Sequence, residues 1–161
     1  MQGSDQRDAA VQFFRQGYAL QMKGEYERAI ELYTRSIEAY PTAEAYTFRG
    51  WSYSFLGDYD TAISECKQAI RVDPDFGNPY NDIGAYLIEQ GKLAESLDWL
   101  EKATRAPRYD SYCYPWFNMG RIYERMHRWD KAAECYEKAL AENPDYQVAK
   151  VALRKLKIMW N

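Results

Sequence analysis

The sequence predicts an all-α fold, a right-handed α-solenoid of four helix-turn-helix units with a C-terminal solvating helix. Three observations carry that prediction. The runs GEYERAIELYTRSIEAYP, GDYDTAISECKQAIRVDP, GKLAESLDWLEKATRAP and HRWDKAAECYEKALAENP begin at Gly24, Gly57, Gly91 and His127, giving steps of 33, 34 and 36 residues. Self-similarity at such a period marks supersecondary units that bury their faces against their neighbours. Apolar residues recur at helical spacing on both sides of each turn residue, and a Pro closes every run.

The first helix pair is expected at about 10–23 and 26–40, turning at Gly24. The second, at about 44–56 and 59–72, shows the local logic best: Tyr46, Gly50 and Tyr53 follow one another at four and three residues. Gly57 ends that helix because Gly most cheaply enters the left-handed conformation past a helix C-terminus, and Asp58 can cap the next. Tyr59, Ala62, Ile63, Cys66, Ala69 and Ile70 then share a face, which stops before Pro74. Pairs three and four are expected at about 78–90 with 93–106 and about 114–126 with 129–142. Pro115 suits the opening turn of its helix. A ninth helix over about 146–160 carries Val148, Ala152, Leu156 and Met159 on one stripe, with Lys150, Arg154 and Lys157 available for water. It reads as the cap that a repeat array requires.

Small residues recur where paired helices cross closely. Gly17, Gly50, Gly84 and Gly120 form one such set; Ala29, Ala62, Ser96 and Ala132 a second; Ser36, Ala69, Ala103 and Ala139 a third.

This grammar resembles the tetratricopeptide repeat from about Ala10 to Tyr146. The implied organisation is one domain over residues 1–161, with repeats at about 10–42, 43–76, 77–112 and 113–146 and a cap at about 146–160. Four departures stand out: Gln16 and Arg49 in place of Leu, Ser96 in place of Ala, and His127 at the fourth turn. The junction ATRAPRYDSYCYPWF is two residues longer than the pattern and is expected to alter the superhelix or form a protruding corner.

The resemblance implies a partner bound on the concave wall made by the first helix of each pair. By register that wall presents Phe14, Arg15, Tyr18 and Gln21, then Thr47, Phe48, Trp51 and Phe55, then Asn78, Asn81, Asp82 and Ala85, and finally Phe117, Asn118, Arg121 and Arg125. The candidate partner-binding set is Phe14, Arg15, Tyr18, Phe48, Trp51, Phe55, Asn81, Phe117, Asn118, Arg121 and Arg125. Aromatic residues with Arg are the anchor chemistry of interfaces, and the two Asn could pair with an extended peptide's backbone. The chaperone-binding subclass holds a C-terminal carboxylate with Lys, Asn and Arg. The corresponding positions here, Phe14, Tyr18, Phe48, Asn78 and Asp82, supply no such clamp, nor does the register one repeat later.

Composition narrows the function classes. A formal charge of −3 provides no overall footprint for nucleic acid or an anionic membrane, so the expected partner is a protein or peptide ligand. No catalytic constellation, phosphate loop or metal spacing is visible, which points to a non-catalytic chain with no cofactor and no metal. The one histidine, His127, reads as a turn residue. Cys66 and Cys135 read as buried hydrophobes and Cys113 as the exposed thiol of the long junction, with a reducing, cytoplasmic setting as the simplest context. The polar first residues carry no leader-like run. Two alternatives accompany the adaptor reading. One is a self-assembling scaffold, or possible homo-oligomer, using the aromatic wall or Trp160. The other is an accessory of a pilus or secretion assembly, because NDIGAYLIEQGKLAESLDWLEKAT with its following Pro is similar to the outer-membrane pilotin group.

Overall fold

The computed structural model describes residues 2–160, with the backbone alone for Gln2 and Trp160, so the docking role expected of Trp160 lies outside the described side chains. Nine helices follow one another with no strand among the described residues: α1 (Gln2–Met22), α2 (Tyr26–Ala39), α3 (Ala43–Phe55), α4 (Tyr59–Val72), α5 (Asn78–Glu89), α6 (Leu93–Ala103), α7 (Cys113–Arg125), α8 (Trp129–Glu142) and α9 (Gln147–Trp160). Each odd helix packs on the next even one, and each even helix on the following odd one, which builds the right-handed α-solenoid.

Local chemistry sets the boundaries. Gly24, Gly57 and Gly91 have φ of 78°, 82° and 77°, and His127 substitutes for them at 56°. The side chain of Asp58 accepts a hydrogen bond from the Thr61 N–H at 3.1 Å and caps α4, as Thr42 caps α3 through the Ala45 N–H. Tyr40, Asp73 and Asn143 are extended and each precedes a Pro, which ends α2, α4 and α8. Two bounds differ from expectation. α1 begins at Gln2, because its opening turns are polar and mostly exposed and show no apolar stripe to read. α6 stops at Ala103, where Thr104 starts the turn into the long junction.

The core lies between the paired helices. Ala29, Ala62, Ser96 and Ala132 are fully buried. Ser96 donates to the Gly84 carbonyl at 2.6 Å, so its hydroxyl is satisfied where an Ala would need nothing. The largest buried side chains include Tyr33 and Tyr136, whose hydroxyls donate to Gln21 and Glu124. Arg49 forks onto Glu65 from α3 to α4, with Thr34 as a second partner, and this half-buried ion pair involves the residue that stands where the repeat pattern has Leu.

Of the two expectations for the long junction, an altered superhelix or a protruding corner, the structure shows a junction whose backbone pairs with a neighbouring turn. Arg108 N–H donates to the Asp75 carbonyl at 2.9 Å and Gly77 N–H to the Arg108 carbonyl at 3.0 Å, so the junction pairs with the preceding interrepeat turn. The Arg108 guanidinium binds Asp73 and Glu44 and lies over the Phe76 ring. That guanidinium holds the Asp73 carboxyl below its ordinary value. Cys113 is likewise buried, as are Cys66 and Cys135, and burial raises all three thiols, Cys135 to about 11. The exposed-thiol expectation fails because Cys113 opens α7 against Ala139 and Ala149, inside the last helix pair and its cap.

Candidate concave binding face

The first helices of the repeats bring together an aromatic run that no single segment contains. Phe14 and Tyr18 of α1 meet Phe48 of α3 with ring centroids 5.3 and 5.8 Å apart. Phe48 contacts Trp51 at 5.8 Å, and Trp51 contacts Phe55 at 5.4 Å. Tyr26, absent from the sequence candidates, stacks on Phe55 at 4.7 Å and extends the run onto α2. Tyr18 and Phe55 are 43% and 52% exposed, while Phe14, Phe48 and Trp51 are half-buried. The run is therefore partly core and partly open surface. The Gln21 amide fixes its base, donating to the Phe48 carbonyl at 3.2 Å while accepting from Tyr33.

Beside Trp51 the surface drops into a cavity of about 320 Å³ lined by Thr47, Phe48 and Trp51 of α3, Asn78, Asn81 and Asp82 of α5, Tyr109 of the long junction and Tyr114 of α7. Tyr109 reaches it because residue 77 is Gly: a Cβ there would stand 2.5 Å from the Tyr109 ring. Tyr109 also packs edge to face on Tyr112 at 5.3 Å, and burial raises the pKa of its hydroxyl. The extra residues of the junction thus supply a wall of the cavity. The junction's extra length and its aromatic density, YDSYCY, are the sequence signals for this.

Asp82 lies on the cavity wall. Burial raises its carboxyl to about 7, against a smaller opposing effect from a hydrogen bond with Asn81. Six ion pairs are formed among the described residues and Asp82 takes part in none.

The remaining candidates have other surroundings. Asn118 donates to Asn81 at 3.1 Å, and both side chains are buried. Arg121 donates to Asn118 and to Glu89, each at 3.2 Å, and Arg125 donates to the Ile88 carbonyl at 3.0 Å. These amides and guanidinium groups are engaged within the chain, where they tie α5 to α7. Phe117 packs on Tyr136 and Tyr146, and with Arg121 borders a separate cavity of about 450 Å³ at the α9 end. Arg15 is exposed and borders a third cavity of about 590 Å³ near the start of the solenoid, with Phe14, Arg7 and Tyr40. The candidate set thus borders three separate cavities, with the α1 and α3 rings leading to the one beside Trp51. Among the described residues no group of three His, Cys, Asp or Glu side chains could hold a metal ion, and no helix is long and apolar enough to cross a membrane.

The sequence pattern of the tetratricopeptide repeat matches residues 10–43, 43–76, 80–105 and 113–146. A curated relative, small glutamine-rich tetratricopeptide repeat-containing protein 2 of Mycosarcoma maydis, is 35% identical over 79 residues, which are 48% of this chain and 22% of that protein. A probable UDP-N-acetylglucosamine–peptide N-acetylglucosaminyltransferase SPINDLY of Hordeum vulgare is 30% identical over 134 residues, 80% of this chain and 14% of that protein. The chain spans a quarter or less of the length of these curated relatives. Among solved structures, Pseudomonas aeruginosa pilF superposes with a TM-score of 0.87 at 21% identity, covering 94% of this chain and 69% of that one. A MamA protein superposes at 0.73 with 23% identity, covering 92% and 81%. Identities this low establish the shared fold alone.

Proposed function

Because the chain belongs to the tetratricopeptide repeat family, we propose that it is a non-catalytic adaptor whose residues 1–161 act as one domain and bind a protein segment along the concave face. The observation that carries this reading is the continuity of the aromatic run from Phe14 to Phe55 with the cavity beside Trp51. Large rings held by their neighbours lose little entropy on binding and present apolar area with polar atoms close by. An extended or helical segment of roughly 6 to 10 residues, bound at about micromolar strength, fits such a surface.

A display library of random ten-residue segments, presented to the immobilised chain, tests it. The wild type is expected to enrich a shared segment pattern that Trp51→Ala loses while its melting curve shows it still folded at the temperature of the assay. Equal enrichment by both forms would overturn the assignment of this face.

A self-associating scaffold is the second reading, favoured by Ile158 and Met159 on α9, which are 69% and 66% exposed. A mass that rises with concentration and falls back in Ile158→Glu would support it, and a concentration-independent monomer mass would exclude it.

A further inference from the structure

We propose that the cavity beside Trp51 is a recognition pocket for a basic side chain, Arg ahead of Lys, carried by the protein segment that occupies the concave face. This inference rests on the binding reading above and adds the chemistry of the ligand. Its starting point is Asp82, a half-buried carboxylate on the cavity wall with no Lys or Arg in ion-pair contact among the described residues.

The groups that face Asp82 from each neighbouring element do not neutralise it. They are Cys66 from α4, Tyr86 from its own helix and Tyr109 from the junction, all acids whose ionisation burial makes harder, with Tyr114 from α7 and the uncharged Thr47, Phe48 and Trp51 from α3 on the same cavity. Asn81 offers a hydrogen bond but no charge. Arg121, at the far end of the Asn81–Asn118 hydrogen-bond chain, is already committed to Asn118 and Glu89. A carboxylate removed from water without a counter-ion is costly, and an incoming cation removes that cost.

The walls select the kind of cation. Trp51, Phe48, Tyr109 and Tyr114 line the same cavity as the carboxylate, and a carboxylate with aromatic rings in one cavity attracts a guanidinium or ammonium group through ion pairing and the ring quadrupole together. A planar guanidinium can stack on a ring while forking onto the carboxylate, which places Arg ahead of Lys. An acidic side chain would meet Asp82 as a like charge, and an aliphatic one would bury it unpaired. About 320 Å³ admits one long side chain with ordered water. The aromatic run leading away along α3 and α1 provides apolar surface for the residues flanking that side chain, which is why the source is a segment and not an isolated small cation. Because the Asp82 carboxyl titrates near 7, binding of a basic segment weakens as pH falls from 8 to 6.

The test uses the full chain and four peptide pools, each of ten residues with randomised flanks and a fixed central Arg, Lys, Gln or Glu. Wild type at pH 8 is expected to retain the Arg pool roughly tenfold over the Gln pool, with Lys between them and Glu lowest. Asp82→Asn, nearly isosteric, is expected to bring the Arg-to-Gln ratio to about one, and wild type at pH 6 to lower it partway. Melting curves establish that the Asn variant is folded. Equal ratios for wild type and Asp82→Asn, or a preference for Gln or Glu, overturn the proposal. Retention of all pools alike, lost in Trp51→Ala, would overturn the charge preference and leave the binding face standing. Retention of none would remove both.

Discussion

At the residue scale, three side chains carry distinct physical consequences. Trp51 touches Phe48 and Phe55 and borders the cavity, so Trp51→Ala is expected to weaken segment binding by roughly 2 kcal/mol, read by titration calorimetry beside an unchanged fold. Asp82 links the site to stability. Its carboxyl rises from an ordinary value of 3.8 to about 7 on folding, so between those values the folded chain holds more protons than the unfolded one. Stability therefore falls as pH rises from about 4 to about 7 and levels off above, by roughly 2 kcal/mol for a carboxylate that keeps some contact with water. Asp82→Asn is expected to flatten that slope in urea titrations at pH 5 and pH 8; an identical slope in both proteins would mean that Asp82 titrates normally. His127 shows that a polar residue can replace Gly at a turn, at φ 56°.

At the element scale, helix pairs are held by small residues at close crossings and by the junctions that join them. Ala62 is fully buried in the cluster of Cys66, Ile83, Tyr86 and Leu87, so Ala62→Leu is expected to overpack it and to cost roughly 1 to 3 kcal/mol, visible as a lower urea midpoint. The junction before α7 is the element that most changes the binding face. Gly77→Ala would drive a methyl into the Tyr109 ring and is expected to displace that wall, lowering the melting temperature and segment affinity together. Retained affinity at a lowered melting temperature would separate Tyr109 from the binding surface.

At the scale of the whole molecule, contacts run between successive repeats, so an end helix carries more of the stability than its position suggests. α9 covers Ala132 and Tyr136 with Leu153 and Leu156, the latter 2% exposed. Leu156→Ala is expected to cost about 2 to 4 kcal/mol and to make the last repeat exchange its amide hydrogens ahead of the others. Uniform exchange along the chain would indicate that the solenoid unfolds as one unit.

The repeat architecture, the turns and the cap were determined by the sequence itself, because each arises from residues a few positions apart: a turn Gly or His, a Pro stop, an apolar stripe. The aromatic wall was legible for a related reason, since register along a repeating fold transfers from one unit to the next. Tertiary structure alone decided how those side chains are used. Asn81, Asn118 and Arg121 pair with one another across α5 and α7, which spends the polar groups that looked available for a ligand. Tyr109 enters the cavity because the long junction folds back onto Gly77, and Asp82 is left without a cation because no basic side chain from another repeat reaches it in an ion pair among the described residues. These outcomes depend on which side chains meet across repeats, and spacing within one repeat carries no information about that.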